Sequence, residues 1–227
     1  MQKGSRAEYR VAEKFTSING EGKCAGQVAV FIRFQGCNLN CEYCDTKWAN
    51  EEQAAYEVMT EQDIYNYIKG TKIKNVTLTG GEPLLQPKIK ALIQRLSEDA
   101  ELRIEIETNG SICIKEYQEM EHPPEFTMDY KLLASKMTDF MCLENFLYLK
   151  KKDTVKFVVG GKSDLEMAKQ VIETYGLTEK CSVYLSPVFG KIEPVKIVEF
   201  MLENQMNQVN LQLQMHKFIW EPERRGV

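Results

Sequence analysis

Short apolar runs alternate along the chain with longer stretches in which apolar residues recur at helical spacing. Such alternation is typical of repeated β-α units arranged around a parallel sheet. The apolar runs predict strands near residues 28–35, 75–79, 102–108, 125–130, 154–159, 182–187 and 209–215. The stretches between them predict helices near residues 87–98, 138–149 and 193–205, and two more that end near Lys69 and Tyr175.

Capping patterns mark the starts of those last two helices. Thr60 with Asp63, and Ser163 with Glu166, resemble capping boxes, in which a hydroxyl and an acidic side chain satisfy free backbone N–H groups. We therefore expect one helix to begin just after Thr60 and another just after Ser163.

The number of β-α units limits the possible folds. About six units are too few to close an eight-stranded barrel, so the predicted fold is α/β, an incomplete TIM-like βα barrel of about six parallel strands. No internal repeat, low-complexity segment or linker is visible, which predicts one domain over residues 1–227. Ligand sites in such folds lie at the carboxyl ends of the strands.

Composition narrows the class of protein. The 227 residues are 43% hydrophobic and 27% charged, as expected for one compact globular domain. The net charge of −4 argues against a general role in binding nucleic acid or a membrane surface. No apolar stretch approaches the length of a membrane span, and Met1–Arg10 lacks the apolar core of a signal peptide. We expect a cytoplasmic protein.

Three of the seven cysteines form a C-x3-C-x2-C run, Cys37, Cys41 and Cys44, directly after an apolar strand. Three thiolates suit a [4Fe-4S] cluster whose fourth iron stays open to another ligand. The alternative is a zinc site that takes a fourth ligand from Cys24, Asp45 or a histidine. The other cysteines, Cys24, Cys113, Cys142 and Cys181, are interpreted as packing residues in a reducing compartment.

Unusual residues collect just after the predicted strands, where the fold places a ligand site. These strand ends carry Gly36 with the cysteine run, Thr79–Pro83, Glu107–Gly110, Asp129–Lys131, Ser186–Pro187 and Gln214–His216. Gly80 and Gly81 allow close backbone approach, so amides there are candidates to bind a carboxylate or ammonium group. A plain turn is the alternative at this position.

The cysteine run together with Gly80-Gly81-Glu82-Pro83 resembles the radical S-adenosylmethionine enzymes. Further segments resemble one family among them, the 7-carboxy-7-deazaguanine synthases. These segments are Ser17–Gly22, Phe31–Arg33, Cys44–Thr46, Glu107–Gly110, Gln214–Lys217 and the terminal Arg225–Val227. The resemblance covers nearly the whole chain.

This resemblance implies a lyase that converts 6-carboxy-5,6,7,8-tetrahydropterin into 7-carboxy-7-deazaguanine with loss of ammonia, on the route to queuosine and related deazapurines. It implies a [4Fe-4S] cluster, S-adenosylmethionine and Mg²⁺ as cofactors. A 5′-deoxyadenosyl radical would abstract the substrate C6 hydrogen. A flavodoxin- or ferredoxin-type electron donor and a homodimer are implied as well.

The resemblance also implies roles for particular residues. Cys37, Cys41 and Cys44 would hold the cluster, and Thr46 would bind Mg²⁺. The residues implied for S-adenosylmethionine are Gly81, Glu82, Asp129, Tyr130, Lys131, Ser186, Pro187, Val188 and Phe189. Those implied for the pterin are Ile18, Asn19, Gly20, Glu21, Arg33, Thr79, His216 and the terminal Val227. No side chain is assigned as catalytic, because the radical is carried by S-adenosylmethionine.

Arg33 and Glu21 have simpler interpretations. Arg33 interrupts an apolar strand, and a buried guanidinium needs either a substrate carboxylate or a nearby glutamate such as Glu105 or Glu107. Glu21 either contacts a ligand or is a loop residue that pairs with Arg33.

Other candidates also have a structural alternative. Thr46 is equally placed to cap a helix after the cysteine run. His216 could equally be an imidazole that packs in the core. Tyr43 is expected to pack against the cluster and the adenine edge. Arg224 and Arg225 are consistent with a solvated tail, and His122 is assigned no role.

The chain departs from the family pattern at two places. Asn19 stands where a glutamine is common, and residues 132–135 replace a Pro-Ser-rich segment, so the contacts made there are open. The short spacing between Cys37 and Cys41 leaves no room for the insertion domain of some members. Two other functions stay open at this point: an activase for a glycyl-radical enzyme, and a non-catalytic zinc-binding interaction module.

Overall fold

A computed structural model describes residues 7–227, and the first six residues of the polar segment Met1–Arg10 lie outside the described residues. The strands are β1 Glu8–Ile18, β2 Val28–Phe34, β3 Glu57–Thr60, β4 Asn75–Gly80, β5 Arg103–Thr108, β6 Glu125–Tyr130, β7 Thr154–Val159, β8 Ser182–Pro187 and β9 Val209–Leu211. The helices are α1 Lys47–Asn50, α2 Glu61–Thr71, α3 Ile89–Ser97, α4 Lys115–Gln118, α5 Asn145–Tyr148, α6 Lys162–Tyr175, α7 Leu177–Lys180, α8 Pro194–Glu203 and α9 His216–Ile219. Short 3-10 turns cover Pro83–Leu85, Leu133–Ser135 and Thr138–Phe140.

Within residues 7–227, nine strands form one sheet in the order β3-β1-β2-β4-β5-β6-β7-β8-β9. The run from β2 to β9 is parallel throughout, and all of its strands were predicted. The α/β prediction of about six parallel strands is therefore confirmed, and the parallel run contains seven. β3 and β9 form the two edges of the sheet, as in a barrel that does not close.

β1 and β3 were not predicted. β1 pairs antiparallel with β2 on one side and with β3 on the other, and its register with β2 shifts between Val11 and Glu13. Tyr9 and Val11 are buried while Glu8 and Arg10 are exposed, which is the alternation of a strand with one buried face. That alternation covers only four residues before the bulge. The charged residues of β1 therefore obscure the strand in the amino-acid sequence.

The capping prediction is confirmed for α2 and wrong for α6. Thr60 Oγ1 accepts a hydrogen bond from the Asp63 N–H at 3.2 Å, and the Thr60 N–H donates to Asp63 Oδ2 at 2.9 Å. α6 begins instead at Lys162, after Gly161, so Ser163 lies within its first turn without capping it. Asp164 satisfies nearby backbone, accepting from the N–H groups of Gly160 and Ala134 at 2.7 and 3.1 Å.

The helix predicted near residues 138–149 is also wrong. That segment consists of the 3-10 turn Thr138–Phe140 and the short helix α5. The buried amide of Asn145 explains the interruption, because it donates to the carbonyls of Gly110 and Ile112 at 3.2 and 2.9 Å. These bonds tie the segment to the loop after β5.

β9 is shorter than predicted and ends at Leu211. The Gln212 side chain then turns to the loop after β1, donating to the Gly22 carbonyl at 2.9 Å and accepting from the Gly22 N–H at 2.7 Å. The carboxyl end of the last strand is thereby joined to the loop that follows the first.

The core packs against the buried faces of the parallel strands, and every residue of β7 is buried. Tyr130, at the end of β6, packs between the rings of Phe146 and Phe157, each 5.5 Å away. No helix within residues 7–227 is long and apolar enough to span a membrane.

The two capping patterns allow a matched stability test. We expect Thr60→Ala to lower the free energy of unfolding by about 1 kcal/mol, because the helix loses its side-chain cap. Ser163→Ala should change it by less than about 0.5 kcal/mol, since Ser163 is exposed and caps nothing. Urea denaturation followed by circular dichroism measures both, and equal effects would contradict the assignment of caps.

Candidate active site

A cavity of about 690 Å³ opens at the carboxyl ends of the parallel strands. Its walls come from the loop after β2, the ends of β4 to β8, one face of β1 and the C-terminal segment. This position agrees with the expectation for a parallel α/β sheet.

The three cysteines of the C-x3-C-x2-C run line this cavity, and their sulfurs are not in disulfides. Cys37 Sγ accepts hydrogen bonds from the Leu39 N–H at 3.4 Å and from Asn109 Nδ2 at 3.5 Å. Cys44 Sγ accepts from Asn50 Nδ2 at 3.8 Å. Donors directed at sulfur stabilise cluster-bound thiolates and adjust their reduction potential, so the loop fits a [4Fe-4S] cluster.

The zinc alternative requires four ligands around one ion. In the described part of the chain, no group of three or more His, Cys, Asp or Glu side chains is placed to hold a single metal ion. A cluster spreads its thiolates over separate irons, so they need not converge on one point. Cys24, one of the proposed fourth ligands, lies outside the cavity in a small pocket beside Asn19 and Arg103.

The Gly80-Gly81 pair brings β4 against the cysteine loop. A Cβ added to Gly81 would lie 2.1 Å from the Gly36 carbonyl oxygen, and one added to Gly80 would lie 2.3 Å from that of Phe34. The Gly81 N–H donates to the Phe34 carbonyl at 3.2 Å, and the Glu82 N–H to that of Gly36 at 2.9 Å. The predicted exposure of N–H groups for a ligand is therefore wrong for Gly81 and Glu82, whereas binding through the carbonyl groups stays a prediction.

Glu82 is buried beneath the cavity and joins neighbouring segments through hydrogen bonds. Its carboxyl group accepts hydrogen bonds from the N–H groups of Leu84 and Asn109, at 3.0 and 2.7 Å, and from Thr108 Oγ1 at 3.0 Å. Burial raises the pKa of Glu82 to about 7 despite these donors. Glu82 thus holds the ends of β4 and β5 together and does not line the cavity.

Lys156 is the centre of a buried charge network on the cavity floor. Its Nζ lies 2.9 Å from Glu21 Oε2 and 3.6 Å from Asp129 Oδ2, and Asp129 Oδ2 also pairs with Lys131 at 2.9 Å. Burial opposes the charge on Lys156, but Glu21, Asp129 and Glu107 together raise its pKa. The predicted pairing of Glu21 with Arg33 is wrong, because Glu21 pairs with Lys156.

Arg33 forms an ion pair with a carboxylate that the sequence analysis did not predict. Its Nε lies 3.2 Å from Glu13 Oε2 on β1, and both side chains are about one-fifth exposed at 19%. Glu105 instead accepts from Thr127 Oγ1 at 2.5 Å. Burial raises the pKa of Glu107, although Lys156, Thr79 and Arg33 stabilise its charged form.

Thr46 stands at the N-cap position of α1, but its side chain caps no backbone N–H. Its hydroxyl donates to Asp45 Oδ1 at 2.8 Å, and both residues line the cavity. Burial opposes ionisation of Asp45, yet the Thr46 hydrogen bond and the charges of Lys217, Arg33 and Lys156 keep its pKa below the usual value. The helix-cap interpretation of Thr46 is therefore wrong.

The C-terminal segment forms another wall. His216 and Val227 both line the cavity, and burial is the main reason that the pKa of His216 is lowered. Arg225 is exposed, as expected for a solvated tail, and its guanidinium also lies over the Trp48 ring at 4.1 Å. Lys217 is buried and donates to the Pro222 carbonyl at 2.7 Å, which holds the segment in place.

Most of the predicted site residues surround this one cavity. Those that line it are Ile18, Gly20, Glu21, Arg33, Cys37, Cys41, Cys44, Thr46, Thr79, Gly81, Asp129, Lys131, Val188, Phe189, His216 and Val227. Tyr43 lines it as well, with the Lys131 ammonium 5.9 Å from its ring centre.

Five predicted residues do not line the cavity: Asn19, Glu82, Tyr130, Ser186 and Pro187. Asn19 is buried and accepts from Thr77 Oγ1 at 2.9 Å, while Ser186 donates to Glu21 Oε1 at 3.2 Å. Tyr130 faces the aromatic core, and Pro187 pairs in register with Val159. Their side chains support the site from behind.

Several lining residues were missed by the sequence analysis, among them Lys156, Asn109 and Glu13. Lys156 interrupts the apolar run Thr154–Val159, which is the same signal that singled out Arg33. Asn109 was noticed only as part of a motif, and Glu13 lies on the strand that was not predicted. A signal was therefore available for Lys156 and Asn109, and none for Glu13.

The sequence comparisons agree with this geometry. Residues 31–132 match the model of the Radical SAM superfamily, the class to which the fold and the cysteine loop point. Membership of this superfamily implies a [4Fe-4S] cluster and S-adenosylmethionine.

Whole-length relatives define the family more narrowly. The chain is 56% identical over 219 residues to the 7-carboxy-7-deazaguanine synthase of Clostridium acetobutylicum, covering 96% of this chain and 99% of that one. It is 35% identical over 226 residues to the synthase of Chlorobaculum tepidum, covering 98% and 99%. The chain therefore belongs to the 7-carboxy-7-deazaguanine synthase family.

A solved structure supports the fold independently. The crystal structure of QueE from Escherichia coli superposes with a TM-score of 0.74, covering 92% of this chain and 95% of that one. Because the sequence identity is 22%, this match supports the architecture alone.

One half-buried carboxyl group beneath the site predicts a pH dependence of stability. Burial, and then the charge of Glu107, raises the pKa of Glu105 from 4.5 to about 7. The folded chain therefore binds more protons than the unfolded chain between these values, so this contribution to stability is present at low pH and is lost as pH rises through 7.

We expect Glu105→Gln to raise the free energy of unfolding at pH 8 by about 2 kcal/mol, with little change at pH 4. The glutamine oxygen can still accept from Thr127. Urea denaturation at both pH values measures the effect, with the exposed Glu203→Gln as the matched control. A pH profile unchanged by Glu105→Gln would contradict the prediction.

Proposed function

We propose that the protein converts 6-carboxy-5,6,7,8-tetrahydropterin into 7-carboxy-7-deazaguanine with loss of ammonia. The observation that carries this proposal is a relative of that family which is 56% identical over almost the whole chain. When bound, the cluster and S-adenosylmethionine supply the one-electron chemistry that removes a hydrogen atom from the substrate. The residues of the chain bind and orient the reactants.

We assign the side of the cavity near the cysteine loop to S-adenosylmethionine. With the N–H groups of Gly81 and Glu82 already bonded, the glycine carbonyl oxygens are the groups suited to its ammonium. Asp129 Oδ1 and the Tyr43 hydroxyl are buried without a hydrogen-bond partner within residues 7–227. Buried polar atoms of this kind favour a polar ligand at the site. Val188 and Phe189 supply apolar surface beside it.

The opposite side suits the pterin. Arg33 offers a forked set of donors that matches the substrate carboxylate. The carboxyl groups of Glu21 and Glu107 are acceptors for the N–H groups of the aminopyrimidinone ring, and Ile18, Gly20, Thr79 and His216 complete the wall. Val227 is assigned to the same wall. We assign Asn19, Ser186 and Tyr130 to supporting these residues, because their side chains are engaged outside the cavity.

We also assign an Mg²⁺ ion to Thr46. The Thr46 hydroxyl caps no helix, lies beside the ionised Asp45 and faces the cavity. Mg²⁺ is commonly held by one or two protein oxygens while water and substrate oxygens complete its octahedron. A site with few protein ligands fits the lack of a group of three or more acidic, His or Cys ligands in the described residues. The ion would orient the substrate carboxylate.

Broader features of the protein belong to the same proposal. The continuous sheet favours a single domain over residues 1–227, and the exposed Val195, Val198 and Leu202 on α8 are consistent with a homodimer. A cytoplasmic location and a flavodoxin- or ferredoxin-type electron donor accompany the proposed reaction.

The direct test is anaerobic incubation of the reconstituted protein with reductant, S-adenosylmethionine and the pterin, with mass analysis of the products. We expect 7-carboxy-7-deazaguanine from the wild type, and none from Cys41→Ala, because one cluster ligand is lost. Cys142→Ala, a control outside the cavity, should retain turnover. Product from a Cys41→Ala protein that still contains iron would contradict the assignment of the loop.

The Mg²⁺ assignment has its own test. Thr46→Ala should slow product formation at least tenfold at low Mg²⁺, with partial recovery at high Mg²⁺, because water replaces a single ligand oxygen. Thr46→Ser keeps the hydroxyl and serves as the matched control. If the wild type is equally active with Mg²⁺ and with a chelator, Thr46 does not serve a metal ion.

A further inference from the structure

Two thiols meet outside the cavity, on loops that flank β6 in the chain. Cys113 lies in the loop between β5 and α4, and Cys142 lies between the turn Thr138–Phe140 and α5. The Cys142 thiol forms a side-chain hydrogen bond with that of Cys113. Neither residue lines the cavity, both are partly exposed, and neither is in a disulfide. The pair is therefore accessible to small molecules from solvent.

Hydrogen bonds hold these two loops together. The Cys142 N–H donates to the Gly110 carbonyl at 3.0 Å. Three residues further on, the fully buried amide of Asn145 accepts from the Ile114 N–H at 2.9 Å and donates to the Ile112 carbonyl at 2.9 Å. The other cysteine is the residue between these two. The fold thus sets the position of both thiols, as a disulfide requires, since its geometry tolerates only a narrow range of separations.

The other cysteines outside the C-x3-C-x2-C run differ from this pair. Cys24 and Cys181 are buried, and the Cys181 thiol donates to the Leu177 carbonyl at 3.5 Å. A buried thiol with no second thiol beside it behaves as a small apolar side chain. Packing therefore accounts for these two cysteines, but not for a partly exposed pair in contact.

We propose that Cys113 and Cys142 are a redox-active dithiol, which low-molecular-weight disulfides oxidise reversibly to a disulfide that stabilises the fold. One protein thiolate attacks the small disulfide, whose S–S bond breaks and releases one small thiol. The second protein thiolate then displaces the other small thiol as the Cys113–Cys142 bond forms. The protein loses two electrons and two protons, and the small disulfide gains them. The inference does not depend on the proposed function.

The disulfide closes a ring of the chain over residues 113–142. This ring contains α4, β6 and the two 3-10 turns that follow β6. Asp129 and Lys131, within the ring, line the cavity. A cross-link restricts the unfolded chain more than the folded one. We therefore expect the oxidised protein to unfold at a higher temperature than the reduced protein.

The test incubates the cluster-loaded protein with oxidised glutathione in the absence of oxygen. The remaining thiols are alkylated after unfolding, and the peptides are mapped by mass spectrometry. We expect one intramolecular link, between Cys113 and Cys142, while Cys24 and Cys181 are alkylated. Dithiothreitol should return the linked pair to thiols. The visible absorbance of the cluster checks that its own cysteines stay bound to iron.

The matched variant is Cys113→Ser, in which Cys142 loses its partner thiol. Oxidation of this variant should stop at the mixed disulfide with glutathione, because no second thiol can displace it. Oxidation should raise the thermal midpoint of the wild type by about 5 °C and should not raise that of Cys113→Ser. Differential scanning calorimetry measures both midpoints.

The proposal is overturned if the Cys113–Cys142 link is absent, if other cysteines of the chain are joined instead, or if the linked protein unfolds at the same temperature as the reduced one. An equal rise in the midpoint of Cys113→Ser also overturns it, since the effect would then not come from the disulfide. The peptide map and the midpoint of the wild type decide the question even if the variant does not fold.

Discussion

The buried ion pairs of Lys156 are the interaction on which the site depends. An ammonium group removed from water is costly unless carboxylates lie close to it, and Lys156 reaches Glu21 and Asp129. Glu21 belongs to the loop after β1, Asp129 to β6 and Lys156 to β7. The same pairs therefore join three elements that are far apart in sequence. They also determine which charges lie on the cavity floor. Replacing any one member would leave an uncompensated charge, which is far more destabilising than the loss of an exposed pair.

The glycines beside the cluster loop are constrained both by close packing and by backbone hydrogen bonds. Gly80 and Gly81 were expected to present amides to a ligand, but those of Gly81 and Glu82 bond the backbone of Phe34 and Gly36. The glycines are required because a Cβ would collide with the cluster loop itself. Because β4 packs closely on that loop, the N–H groups of Gly81 and Glu82 are not available to a ligand. The motif is thus required first for packing.

Sequence reasoning succeeded where a local pattern has one physical cause. The parallel strands, the Thr60 cap and the cysteine loop are of this kind, since each depends on residues close together in the chain. It failed where the partner is distant: Arg33 pairs with Glu13 across strands, Asn145 binds the loop after β5, and Asn19 turns to Thr77. Lys156 is a different case, because the rule that singled out Arg33 applies to it equally. β1 was hidden by its charged residues, of which Glu8 and Arg10 are exposed while Glu13 and Lys14 follow the bulge.

The pairing of Arg33 with Glu13 has a consequence for how this scaffold diversifies. Glu13 lies on β1, an antiparallel addition to the parallel sheet, while the cysteines and the Lys156 network lie elsewhere. A substitution on β1 can therefore change how strongly the guanidinium is held, and with it the preference for an anionic ligand, without disturbing the radical machinery. Natural variation can alter selectivity at this strand while the chemistry is inherited intact.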